Sequence, residues 1–194
     1  MDKIYENIPI EISNRHVHLS VEHSDILFGK GKRLTSFKEL SQTGQFASNE
    51  IVTLINRGRK IEKVRAVGPE RKESQVELSK TDARYFGVDA PIRLSGNLEN
   101  TPGLIVNGPK GEIKLEKGVI VAQRHLHCSS EEAKELGIKH GQDISISVPG
   151  IRSAVLNKIK VRVDSSFCLA VHLDTDEANT LNLKSGDFGT ILKK

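Results

Sequence analysis

Two copies of one short string carry the residues best able to do chemistry. The first reads Arg15-His16-Val17-His18-Leu19-Ser20 and the second Arg124-His125-Leu126-His127-Cys128-Ser129. Together they use four of the chain's seven histidines. Side chains two apart in an extended strand face the same side, so each copy presents two imidazoles together. One strand can thus offer a metal two nitrogen ligands. A single His-x-His pair is more often exposed or structural. Two copies, each with a third donor further along, favour metal binding.

The third donors come from a second repeated unit. Val76-Glu77-Leu78-Ser79-Lys80-Thr81-Asp82-Ala83 matches Val171-His172-Leu173-Asp174-Thr175-Asp176-Glu177-Ala178, which sets Glu77 opposite His172. The candidate metal ligands are therefore His16, His18 and Glu77 in one half and His125, His127 and His172 in the other. Six protein ligands suit two metals, each keeping an open position. Imidazole with a carboxylate favours zinc, with cobalt, nickel or iron as alternatives. Two divalent ions, five neutral imidazoles and one glutamate leave a net charge of about +3, which attracts an anion. Arg71 and Arg162 are the candidates to fork onto a phosphate. Arg15 and Arg124 alternate to the opposite face and read as structural ion-pair residues. His23 and His140 read as solvated, and Cys128 and Cys168 as packing residues. Because neutral imidazole binds metal, affinity should fall as histidines protonate below about pH 6.5.

These residues need strands and short helices to hold them. Ser20 caps a helix over Val21 to Phe28, closed by Gly29, and Ser129 caps one over Ser130 to Leu136, closed by Gly137. Ser79 with Asp82, and Asp174 with Glu177, have the spacing of further caps, and those helices end near Gly87 and Asn182. The strands between are short and β-branched: Ile51 to Ile55, Ile61 to Val67, Leu104 to Val106, Ile113 to Leu115, Ile144 to Val148, Ile159 to Val163 and Phe167 to Leu173. Asn107 to Gly111 reads as a hairpin turn. The pattern implies a mainly β fold with short capping helices, as two tandem small β-barrels related by internal duplication. The domains are expected at 15–122 and 123–194, with residues 4–14 joining the second as a strand.

The bulk properties exclude several classes. The chain has 194 residues, enough for a core without disulfides. Aromatic content is 4 % with no tryptophan, too little for a base-stacking surface, so nucleic acid is not an expected partner. No apolar run is long enough to span a bilayer, so neither is a membrane. A net charge of +4 suits anionic small molecules. Two cysteines without a CxxC pair point to a reducing compartment, and a cytoplasmic location is expected.

At this point Ser13-Asn14-Arg15-His16-Val17-His18-Leu19-Ser20, Gly68-Pro69-Glu70-Arg71, Gln75-Val76-Glu77-Leu78-Ser79, Gln123-Arg124-His125-Leu126-His127 and His172-Leu173-Asp174-Thr175-Asp176-Glu177-Ala178-Asn179 resemble the phosphate propanoyltransferases, the PduL-type phosphotransacylases. The resemblance runs in order from about Ile8 to the C-terminus. It implies the reaction acyl-CoA + phosphate = acyl phosphate + CoA, with two zinc ions between two β-barrels. It places His16, His18, Glu77, His125, His127 and His172 on metal-ligand positions, and Arg71 and Arg162 on phosphate-contacting ones. The implied partners are acyl-CoA, CoA, inorganic phosphate and acyl phosphate, and a homodimer is allowed. Microcompartment members of the family carry an N-terminal encapsulation extension. Here the family motif begins almost at once, so microcompartment encapsulation is not expected.

Two rival readings stand beside this one. Two metals also suit water activation by a dinuclear metallohydrolase acting on a thioester or phosphoester. A β-barrel module with structural zinc is the other. Structural sites are usually closed and cysteine-rich, which this set is not.

Overall fold

A computed structural model describes residues 5–192. In chain order its elements are β1 (Tyr5–Ser13), β2 (His16–His18), α1 (Val21–Phe28), β3 (Ser36–Glu39), β4 (Phe46–Asn56), β5 (Arg59–Gly68), β6 (Gln75–Leu78), α2 (Lys80–Phe86), β7 (Ile92–Arg93) and β8 (Ile105–Asn107). There follow β9 (Glu112–Lys114), β10 (Val119–Ala122), β11 (His125–Cys128), α3 (Ser130–Leu136), β12 (Asp143–Val148), β13 (Ala154–Val163), β14 (Ala170–Asp174), α4 (Thr175–Leu181) and β15 (Phe188–Leu192). The expected strand at 4–14 and domain end at 194 include residues 4, 193 and 194, which lie outside the described residues. Among the described residues, no helix is long and apolar enough to cross a membrane.

The chain divides into two compact units. One is Arg15–Ala122; the other joins the described residues up to Asn14 to those from Gln123 onward. The second unit is a closed barrel in the order β1-β14-β11-β13-β12-β15, sealed by β15 pairing antiparallel with β1. Its core takes alternate residues from each strand, among them Ile10, Leu126, Ile146, Ile159, Val161, Val171 and Leu173. β11 runs parallel to β13 and antiparallel to β14, which sets His125 opposite His172 and His127 opposite Arg162.

The unit Arg15–Ala122 repeats this local arrangement but does not close. Its sheet runs β7-β10-β6-β2-β5-β4-β8-β9, with β3 on β4. β2 lies parallel to β5 and antiparallel to β6, and His16 faces Glu77. The expectation of two barrels is therefore corrected to one closed six-stranded barrel and one open half-barrel, with four short helices. The reason lies after α2. The strand following α4 is five residues long and bridges β12 to β1. The strand following α2 is two residues long and, among the described residues, pairs with β10 alone. Pro91, which has no N–H to donate, precedes it, and a turn from Leu94 to Asn97 with Gly96 at φ 93° ends it. The free edge of β4 is taken instead by the hairpin of β8 and β9.

The helices are seven or eight residues long, too short to persist without caps and packing. Ser20, Ser79, Ser129 and Asp174 each accept a backbone N–H of the first turn. Ser129 with Glu132 and Asp174 with Glu177 form complete capping boxes, each cap contributing about 1 kcal/mol. Asp82 has the same position in α2 but pairs with Arg15. One strand starts later than expected. Residues 167–169 precede β14, because Phe167 closes a turn onto the Asp164 carbonyl at 3.0 Å. Cys168 is consequently exposed and outside any strand, whereas Cys128 is fully buried in the barrel core.

Candidate active site

Strand alternation and antiparallel register gather the six candidate ligands into two groups of three. His16, His18 and Glu77 form one, and His125, His127 and His172 the other; within each group, donor atoms from the three residues lie within 4.8 Å of one another. His18, Glu77 and His127 are buried and the rest half-buried. In the first group, the Nε2 atoms of His16 and His18 are 3.2 Å apart. Glu77 Oε2 is 3.7 Å from His16 and Oε1 is 3.7 Å from His18. Ligands about 2.05 Å from a tetrahedral zinc are separated by about 3.3 Å, so this cluster has the size of one face of a zinc site. In the second group the three imidazole centroids are 4.6, 4.7 and 5.0 Å apart, with His125 and His172 stacked nearly parallel at 12°.

Neighbouring groups orient the rings. His18 Nδ1 meets the Val67 carbonyl at 3.2 Å and His125 Nδ1 meets that of Gln123 at 2.8 Å. A carbonyl only accepts, so each Nδ1 carries the proton and Nε2 keeps the lone pair a metal needs. His172 Nδ1 lies 3.7 Å from the Glu11 carboxylate. Donor types, spacing and tautomers all fit a divalent transition metal in each triad.

Charge is tuned in the same direction. Burial lowers His18 from its usual 6.5 to about 4; Glu77 opposes this, while His16 and Arg71 reinforce it. For Glu77, burial alone acts to raise the pKa, but His16, His18 and the Ser95 hydroxyl outweigh it and hold the carboxyl well below the usual range. For His18, the onset of proton competition therefore moves from about pH 6.5 to near 4. The consequence for the metal-free protein has a definite sign. A depressed folded-state pKa gives full stability above the unfolded value of 6.5, lost as pH falls towards 4. Urea unfolding after chelation should show stability decreasing across that window, by roughly 3 kcal/mol when complete. Glu77 acts in the same sense below its ordinary range. A stability unchanged between pH 7 and pH 4.5 would contradict the assignment.

Both candidate arginines lie in units that hold a triad. Arg71 follows the cis Gly68-Pro69 peptide, and its backbone N–H donates to the Leu19 carbonyl at 2.8 Å, just beyond the first His-x-His strand. Its Nη1 donates to Ser95 Oγ at 2.9 Å. Arg162 sits beside His127 in register, with its guanidinium 5.5 Å from the Phe167 ring centroid. Phe167 in turn stacks on His127, with centroids 3.9 Å apart. Arg15 and Arg124 form ion pairs, at 2.7 Å to Asp82 and 3.1 Å to Glu177.

Of the two histidines expected to be solvated, His140 is exposed and His23 is half-buried. His23 Nδ1 meets Ser74 Oγ at 2.7 Å, and His140 Nδ1 accepts from the Val163 N–H at 3.2 Å. Sequence reasoning missed Glu11, Gln75, Ser95 and Phe167 as neighbours of the triads. Only Gln75 had a visible signal, two residues before Glu77 on the same strand face.

Comparison with known proteins gives the family. A family profile described as phosphate propanoyltransferase matches residues 9–184. The chain belongs to the phosphate propanoyltransferase family. It is accordingly an enzyme, a phosphate acyltransferase. The phosphate propanoyltransferase of Lachnoclostridium phytofermentans is 48 % identical over 186 residues, covering 95 % of this chain and 87 % of the relative. That of Thermotoga maritima is 46 % identical over 187 residues, covering 96 % and 89 %. A third, from Rhodopseudomonas palustris, is 42 % identical and covers 96 % and 83 %.

Proposed function

We propose that this phosphate acyltransferase interconverts acyl-CoA and phosphate with acyl phosphate and CoA. We propose an acetyl or propanoyl group, and two zinc-like ions, one in each triad. His16, His18 and Glu77 would hold one ion, and His125, His127 and His172 the other. Bound there, the metals would supply positive charge to the thioester carbonyl oxygen and to phosphate. The observation that carries the reading is the construction of two three-ligand clusters by one strand arrangement, in a chain of this family.

The protein's own groups account for the rest. Arg71 holds and orients phosphate so that one of its oxygens faces the thioester carbon, and Arg162 is a second phosphate-contacting arginine. The new C–O bond forms as the C–S bond breaks. The electron pair leaves on the CoA sulfur, which is released as thiolate and protonated by solvent. No acyl-enzyme is required. Cys128 lies in the core, where burial pushes its thiol up to about 11, so it is neither exposed nor ionised. Transfer is direct, within a complex of both substrates.

The deciding assay supplies acetyl-CoA or propanoyl-CoA with phosphate to zinc-loaded protein and follows free thiol and acyl phosphate together. Stoichiometric release of both supports the reading. Thiol release without phosphate would favour the hydrolase, and no turnover with zinc retained would favour a structural metal. Exchange of the acyl group into free CoA in the absence of phosphate would overturn direct transfer.

A further inference from the structure

We infer that Ser95 and Gln75 are positioning residues that couple the metal-ligand Glu77 to Arg71, so that metal binding and phosphate binding in this unit are linked. The inference rests on the proposed phosphate role of Arg71 and goes beyond it by naming what orients that side chain.

A serine hydroxyl can accept twice and donate once. Ser95 Oγ accepts from Arg71 Nη1 and from Gln75 Nε2, both at 2.9 Å. Both acceptor positions are then used, which leaves the O–H to donate, and Ser95 helps hold the Glu77 carboxyl below its usual range. The Gln75 side chain is equally constrained. Its Oε1 accepts the Gly96 N–H at 2.8 Å, so the amide cannot flip. Its two N–H bonds go to Glu77 Oε1 and to Ser95. Gln75 is 1 % exposed, and Gly96 sits at φ 93°, a conformation glycine adopts readily. The turn from Leu94 to Asn97 therefore holds Ser95 against both partners.

The chemical effect follows from these contacts. Ser95 takes one guanidinium donor and thereby sets the plane in which Arg71 meets an anion. The Gln75 amide that donates to Ser95 also donates to Glu77 Oε1, a carboxylate whose charge a metal would draw upon. Metal at Glu77 and anion at Arg71 thus act on the two ends of one hydrogen-bonded chain, Glu77–Gln75–Ser95–Arg71.

The test compares Ser95→Ala, Ser95→Thr and Arg71→Ala in the full chain. Phosphate KM and kcat are read with zinc-loaded enzyme. Zinc affinity is read separately, by chelator competition without substrates. Ser95→Ala should raise phosphate KM by about 10- to 100-fold while kcat changes less. It should weaken zinc by about 10-fold, the scale of loosening an outer partner of a metal ligand. Ser95→Thr, which keeps the hydroxyl, should recover most of both. If Ser95→Ala does not fold, Ser95→Gly reads the same loss beside Gly96. An unchanged phosphate KM in the alanine variant, or equal losses in alanine and threonine, would overturn the coupling. If Arg71→Ala also leaves phosphate KM unchanged, the phosphate role of Arg71 itself is what fails.

Discussion

Replacing His125 by alanine should lower bound zinc from two ions per chain to one and reduce activity by about a thousandfold or more. Losing a partner that merely orients a metal-bound histidine costs about 10- to 100-fold in affinity. Losing one of three protein ligands must cost more, because the two remaining imidazoles leave two positions open. His125 is held by the Gln123 carbonyl and stacks on His172, so the substitution also removes a ring that helps fix the other ligands. Zinc content by elemental analysis and turnover of acyl-CoA with phosphate are the two readings. Excess zinc should restore part of the activity, which separates weakened binding from misfolding. His140→Ala is the control, since His140 touches the Val163 backbone outside both triads. Two zinc ions retained, or full activity in metal-free protein, would sink the proposal.

What was legible in the sequence is what local rules encode. The alternation of side chains along a strand pairs His16 with His18 and His125 with His127. Alignment of the repeated units then singles out Glu77 and His172, which antiparallel register sets opposite His16 and His125. Helix boundaries at Ser20, Gly29, Ser129 and Gly137 follow from caps, the most local of signals. Closure of a sheet is different in kind. It depends on whether one late strand reaches two distant edges, and Pro91 and the Leu94–Asn97 turn shorten that strand in one unit. Repetition of sequence pattern thus predicted a second closed barrel where the chain builds only part of one.

The side chains that tune the triads were hidden for a related reason. Ser95 and Gln75 are twenty residues apart, and Phe167 reaches His127 from a turn that strand propensity misread as part of β14. Types and spacing identify metal-binding groups because metal chemistry demands few residue types. They do not identify the serine or phenylalanine that orients an arginine, because such residues are common everywhere and act only through tertiary contact.

Arg71 is the arginine for which the consequences reach furthest. Arg71→Ala should lower kcat/KM for phosphate by about 100- to 1,000-fold, with little change in KM for acyl-CoA and with zinc retained. The reverse reaction should lose as much for acyl phosphate, since both directions share one transition state. Arg71→Lys should recover little, because an ammonium is a point charge without the planar fork. A second reading does not involve turnover. His18 is held near 4 chiefly by burial, with Arg71 among the charges that reinforce the shift. Removing that charge should raise the His18 value, so the acid loss of metal-free stability still begins near pH 6.5 but ends at higher pH and is smaller. NMR titration of the imidazole would detect the change directly. An arginine that merely packs on the loop would leave the imidazole titration where it was, and would lower thermal stability without separating phosphate from acyl-CoA. Selective loss of phosphate binding together with an upward shift of His18 is the result that places the guanidinium at both the anion and the triad.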